Sequence, residues 1–150
     1  AGAFPPPLEE LERHEFIPFK TALPQAPNTA LMMGHLAVPG LGDGQTPASI
    51  LPEAYGLARE TLQYDGPIYT DDIGGMKAIA DSLPLADAVV ASLNAGADMP
   101  LWSTEGDINA VIDAVVGAVN DGRLPLERLA DAARHVSAPP AGAVPEPAQD

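Results

Sequence analysis

Three short apolar runs, separated by stretches with helical spacing, set the narrowest limit on how this chain can fold. They are residues 30–38 (ALMMGHLAV), 67–69 inside GPIYTDDIGGM, and 97–102 (ADMPLW). Apolar runs this short, bounded by Gly, Pro and Asp, read as buried strands. Strands alternating with helices imply βα units of a parallel sheet. Leu8, Leu11, Phe16, Phe19 and Leu23 outline a first helix, which Pro18 must end or kink. Ser49 is placed as the N-cap of a second, with Pro52 in its first turn and Ala54, Tyr55, Ala58 and Leu62 buried. A short helix is expected from Met76, and a firmer one over 85–94 with Ala86, Val89, Val90 and Leu93 inward and Gly96 after its end.

Thr104 to Asp107 resembles a capping box ahead of a helix that presents Ile108, Val111, Ile112, Val115 and Val119. A last helix runs through Leu126, Leu129, Ala133 and Val136. Residues 138–150, APPAGAVPEPAQD, bury no apolar area and are expected to form a Pro/Ala-rich disordered tail, leaving 1–137 as the folded part. The fold class is α/β, with about three βα units. At 150 residues the chain suits one domain but falls short of the roughly 250 that a complete β/α barrel takes. Three units cannot close a barrel, and their sheet has an unpaired apolar edge where the chain starts.

In folds of this kind chemistry gathers where the C-terminal end of a strand meets the next loop. GPIYTDDIGGM sets two adjacent carboxylates, Asp71 and Asp72, at that point. Catalysis, metal binding and helix capping all remain open on the residues alone. Adjacent strand side chains point to opposite faces and no further His or Asp follows at ligand spacing, so no metal is expected. Gly74-Gly75 lacks the frame of a phosphate loop.

Charge narrows the partners. The formal charge is −14, and the seven Lys and Arg residues are scattered. Neutralising phosphates takes clustered cations, so nucleic acid and anionic membrane surfaces are disfavoured, while a neutral or polar substrate such as a sugar fits. The acidity is equally well a solubility trait. Without cysteine, disulfides, thiol nucleophiles and thiolate metal sites are excluded. No apolar run approaches the roughly 20 residues of a membrane span, and the compartment stays open. The chain opens on AGAFPPP without an initiator Met and reads as a mature or excised piece of something longer.

Several segments in succession resemble glycoside hydrolase family 3, especially its β-N-acetylglucosaminidase branch. They are LERHEFIPF (11–19), ALMMGHLAVPGL (30–41), TPASI (46–50), YDGPIYTDDIGGMKAI (64–79), AGADMPLW (95–102) and GRLPLERLADAARHV (122–136). The resemblance covers 8–136 in order and implies a TIM-type (β/α)8 catalytic barrel. This chain is then its C-terminal portion, roughly the sixth to eighth strands, incomplete on its own. The first Asp of the (S/T)-D-D motif, here Asp71, is implied to be the nucleophile. The acid/base His–Asp pair and the lysine and histidine that grip the sugar belong to earlier strands, and none of those motifs occurs here. The family spaces its motif as D-D-L-x-M, whereas Ile73-Gly74-Gly75-Met76 is one residue longer.

The implied chemistry is that of a retaining exo-glycosidase acting on terminal N-acetylglucosamine, which needs no cofactor. Its implied partners are a carbohydrate substrate and the remaining barrel segment, supplied upstream in the same protein or by a second chain. His35, Ser49, Met76 and Trp102 are the substrate-contact candidates. His35 also reads as a satisfied buried histidine, Ser49 as an N-cap and Trp102 as a plug of the barrel rim. Asp98 lines the barrel mouth or caps the turn at Gly96. His14 and His135 read as surface or packing residues. A second reading, from another class, is an inactive fragment or sugar-binding module that needs the missing strands.

Overall fold

The structure, a computed structural model, describes residues 5–26, 29–74, 83–103 and 106–137. The short helix expected from Met76, the Thr104 half of the capping box and the 138–150 tail lie outside the described residues.

The first helical stretch is two helices, α1 (Leu8–Arg13) and α2 (Phe16–Ala22), followed by a 3-10 turn over Leu23–Gln25. The break falls at His14 and Glu15, not at the proline. Pro18 stands third in α2, in the first turn, where a missing N–H removes no helical hydrogen bond. β1 is only Leu31–Met33, shorter than the nine apolar residues suggested. Beyond Met33 the chain leaves the ladder at Gly34, and Leu36 accepts a bond from the Ala48 amide instead.

α3 (Pro52–Gly56) opens on its proline, after a 3-10 turn over Ala48–Ile50, and runs into a single π-type turn, Leu57–Thr61. Leu51 occupies its N-cap position and makes no side-chain cap bond, so the capping role expected of Ser49 is corrected. β2 (Ile68–Asp72), α4 (Leu85–Ala95), β3 (Met99–Leu101), α5 (Ile108–Asn120) and α6 (Leu126–Ser137) complete the order. The three strands form one parallel sheet in the order β1-β2-β3, with Leu31, Met32 and Met33 opposite Ile68, Tyr69 and Thr70. The α/β class and the strand–helix alternation are therefore as the sequence implies.

One face of the sheet is packed. Ile68 and Thr70 of β2 are fully buried, and Ile68 joins Tyr55, Ala58, Tyr64, Ala95 and Ala97 in one apolar cluster. A second cluster sets Val89, Val90 and Leu93 of α4 against Val111 and Ala118 of α5. Gly96 closes α4 at φ 131°, and a Cβ there would come within 2.7 Å of Tyr55, so both backbone and packing require glycine. Met32, Met99 and Leu101 lie on the other face and keep 37–52% of their surface exposed.

Two helix faces differ from expectation. In α5 the buried row is Val111 and Ala118, flanked by Val115 and Val119, while Ile108, Ile112 and Val116 form a second, exposed row. In α6 the buried residues are Ala132 and His135, and Leu126 and Val136 are exposed. That helix is turned so that Arg128 and His135 reach an acid at the foot of β3. No helix among the described residues is long and apolar enough to cross a membrane.

Candidate active site

β2 delivers its two carboxylates through an irregularity. Tyr69 pairs with Met99 and Asp72 with Leu101, so Thr70 and Asp71 together oppose the single Pro100. Proline has no N–H to give the ladder, and the Leu101 amide turns to the Thr70 hydroxyl oxygen at 2.9 Å. Such bulges re-aim side chains at the ends of strands. Here the bulge falls at Asp71.

The two acids then part company. Asp72 Oδ1 accepts from the amides of Gly74 at 3.0 Å and Ser103 at 3.2 Å, and its Oδ2 takes the Ser103 hydroxyl. It ties the loop after β2 to the loop after β3. Asp71 is half-buried, whereas Thr70 before it is fully buried. Its Oδ1 accepts from the Asp72 amide at 2.8 Å, and no cation pairs with it among the described residues.

His35 lies two residues past β1 and is 7% exposed. Its Nε2 faces the Asp72 carbonyl at 3.1 Å; a carbonyl only accepts, so Nε2 carries the hydrogen. In that tautomer Nδ1 accepts from the Ser49 hydroxyl at 2.6 Å. Ser49 has no exposed surface, and its own carbonyl accepts from the Tyr55 hydroxyl at 2.8 Å. Both candidates thus hydrogen-bond protein partners. Burial pushes the Tyr55 hydroxyl well above the ordinary tyrosine range, with the negative Asp98 adding to it.

Trp102 follows β3 directly, at the same end of the sheet as Asp71. It is half-buried and packs on the cluster of Ile73, Val89 and Leu93. Met76 lies outside the described residues.

Asp98 occupies the opposite end of the sheet, ahead of β3, so a place at the mouth is corrected. The Gly96 amide bonds Ser92 and Leu93 carbonyls, which also removes the capping role. Instead the buried Asp98 carboxylate takes Arg59 at 2.8 Å and the Ile68 amide at 2.9 Å on Oδ2, and Arg128 at 2.6 Å and His135 Nδ1 at 3.0 Å on Oδ1. His135 is therefore neither a surface residue nor a mere filler, whereas His14 is exposed. For Asp131, beside this cluster, burial alone would raise the carboxyl. The Arg134 hydrogen bond and the charges of His135, Arg128 and Arg134 outweigh it and hold the carboxyl below its usual range. Asp98, Asp131 and His135 bring ligand atoms within 4.8 Å of one another, but two guanidinium groups already occupy both Asp98 oxygens and oppose a cation.

Sequence reading missed Arg59 and Arg128. The available signal was two arginines on apolar helical stretches in a chain with only seven basic residues. An apolar hollow of about 220 Å³ lies among Leu8, Leu11, Phe16, Met33 and Leu57, and Asp71 is not in its wall. Its lining carries no chemistry.

Residues 2–138 match the family described as Glycosyl hydrolase family 3 N terminal domain. Beta-hexosaminidase LpqI of Mycobacterium tuberculosis is 41% identical over 130 residues, which is 83% of this chain and 33% of that protein. The solved structure of M. tuberculosis LpqI superimposes with a TM-score of 0.83 at 37% identity, covering 89% of this chain and 40% of that one. A glycoside hydrolase family 3 beta-N-acetylglucosaminidase from Paenibacillus sp. gives a TM-score of 0.80 at 31% identity, over 88% and 25% of the two chains. The chain spans about a third of the length of the curated relatives it matches.

Proposed function

The chain belongs to glycosyl hydrolase family 3, and from that membership we propose that it carries the nucleophile of a retaining exo-β-N-acetylglucosaminidase, with Asp71 in that role. In this proposal the three βα units are the C-terminal portion of a TIM-type barrel, with the face bearing Met32, Tyr69 and Met99 turned to the barrel's inside and Asp71 projecting into it from the strand end. The observation that carries this reading is the division of labour between the two acids. Asp72 is spent on the loops, while Asp71 stands half-buried at the C-terminal end of β2, its carboxylate taking the Asp72 amide and no cation among the described residues. Relatives that share this chain's sequence are named as β-hexosaminidases, and a structural relative as a β-N-acetylglucosaminidase.

In the reaction an Asp71 oxygen attacks the anomeric carbon of a terminal N-acetylglucosamine as the bond to the leaving oxygen breaks. A general acid from the remainder of the barrel protonates that oxygen, and the sugar stays esterified to Asp71. Water, deprotonated by the same group now acting as base, then releases the sugar with retained configuration. The sheet supplies the rigidity a nucleophile needs. Asp71→Asn, in the protein carrying this chain, is expected to lower turnover of an aryl N-acetyl-β-glucosaminide by about three orders of magnitude or more. Unaltered turnover by that variant overturns the assignment.

The length relation favours a second part to the proposal. Because the chain spans a third of its curated relatives, the 150 residues need the remaining barrel segment to act. Purified alone they are expected to show no hydrolysis. Activity from the lone chain contradicts this.

A further inference from the structure

One buried line of side chains runs to the end of β2, and the reaction as described does not use it. Tyr55 donates to the Ser49 carbonyl, Ser49 donates to His35 Nδ1, and His35 Nε2 donates to the Asp72 carbonyl. The β1–β2 register places 31 opposite 68 and 33 opposite 70, so its continuation would place 35 opposite 72. β1 has ended by then. The His35 ring thus stands where a backbone ladder bond would be, one step beyond the strand.

On the other side of β2 the ladder is interrupted too, by the bulge at Pro100. The ladder toward β3 resumes past the bulge, where the Ile73 amide bonds the Leu101 carbonyl at 2.9 Å, and Ser103 adds to it on Asp72's carboxylate. On the β1 side, where that strand has ended, His35 on the Asp72 carbonyl takes the place of the ladder. The Asp72 amide in turn holds the Asp71 carboxylate at 2.8 Å. Movement of Asp72 moves the group that aims Asp71.

We propose that His35 is a positioning residue, its ring held in place by Ser49, that fixes the backbone of Asp72 and through it the line of attack of Asp71. This rests on Asp71 being the nucleophile. A buried imidazole that only filled space would need no donor at Nε2, and the two roles predict different kinetics.

The test is steady-state kinetics on an aryl N-acetyl-β-glucosaminide with the protein carrying this chain, alongside melting temperatures. Gln at 35 keeps a donor near the Nε2 position, whereas Leu removes it. His35→Leu is expected to lower kcat about a hundredfold with KM within about twofold, as small displacements of a reacting group do. His35→Gln should recover kcat to within about tenfold of the parent, and Ser49→Ala should cost about tenfold. Adding Ser49→Ala to His35→Leu should cost nothing more, since Ser49 acts through His35. Undiminished kcat in His35→Leu, or equal losses in His35→Leu and His35→Gln that follow the melting temperature, would overturn the proposal. If His35→Leu does not fold, Ser49→Ala decides: full kcat despite altered ring-nitrogen NMR shifts of His35 overturns it. Asp71→Asn in the same assay separates the two failures. Retained turnover there sinks the nucleophile reading and this proposal with it, while an inactive Asp71→Asn beside a fully active His35→Leu sinks the positioning role alone.

Discussion

Deleting the Asp98 carboxylate would leave the Arg59 and Arg128 guanidinium groups facing each other with no anion between them. The carboxylate is wholly buried and the two arginine side chains are 23% and 18% exposed, so water replaces little of what is lost. Breaking a buried ion pair from one side costs about 3–5 kcal/mol. Asp98→Ala is therefore expected to lower stability by about that amount, read as a fall in the urea midpoint at constant slope. Asp71→Asn, which loses at most one hydrogen bond among the described residues, should leave the midpoint nearly unchanged. Equal midpoints for Asp98→Ala and the parent contradict the account. The two acids also show what a single sequence can and cannot disclose at this scale. Asp71 is legible because its place follows from a local pattern, an apolar run ending in carboxylates. Asp98 looks like any acid in a turn, because its partners at 59, 128 and 135 come together only through the fold.

Among the elements, α5 shows how a cap is chosen. The sequence places Thr104 at the N-cap and Asp107 three residues inside. In the structure Asp107 is itself the N-cap, at φ −75° and ψ 105°, and its Oδ1 accepts from the Asn109 amide at 2.9 Å. Asp107→Ala is expected to cost about 1 kcal/mol, seen as a lower urea midpoint and faster amide exchange in the first turn of α5. Unchanged exchange there would show that the cap contributes nothing. Helix existence and order follow from periodicity. Helix rotation does not: α5 carries two apolar rows, and only tertiary contact chooses Val111 and Ala118 over Ile108 and Ile112. α6 is turned by Arg128 and His135, whose pull on Asp98 outweighs burying Leu126 or Val136. Nor does composition show where a strand ends. β1 stops at Met33 because the next residues serve a side-chain bond at His35 rather than a ladder.

At the scale of the molecule, the sheet has one dressed face and one bare one. Helices cover Ile68 and Thr70, while Met32, Met99 and Leu101 stay partly exposed on the other side. A parallel sheet is ordinarily covered on both faces. Under the proposal this bare face is the barrel interior, and the remaining strands extend the sheet from its edges. The family membership and the α/β order are thus legible in the succession of motifs. The wiring at the two ends of the sheet is not, because it is built from residues far apart in the chain. The measurement that bears most directly on the proposal is mass spectrometry of the protein carrying this chain after incubation with a fluorinated N-acetyl-β-glucosaminide that slows deglycosylation. The account predicts one sugar mass attached to the peptide containing Asp71, and none in Asp71→Asn. Turnover with retained configuration but with the label on another residue, or no covalent label at all, would contradict it.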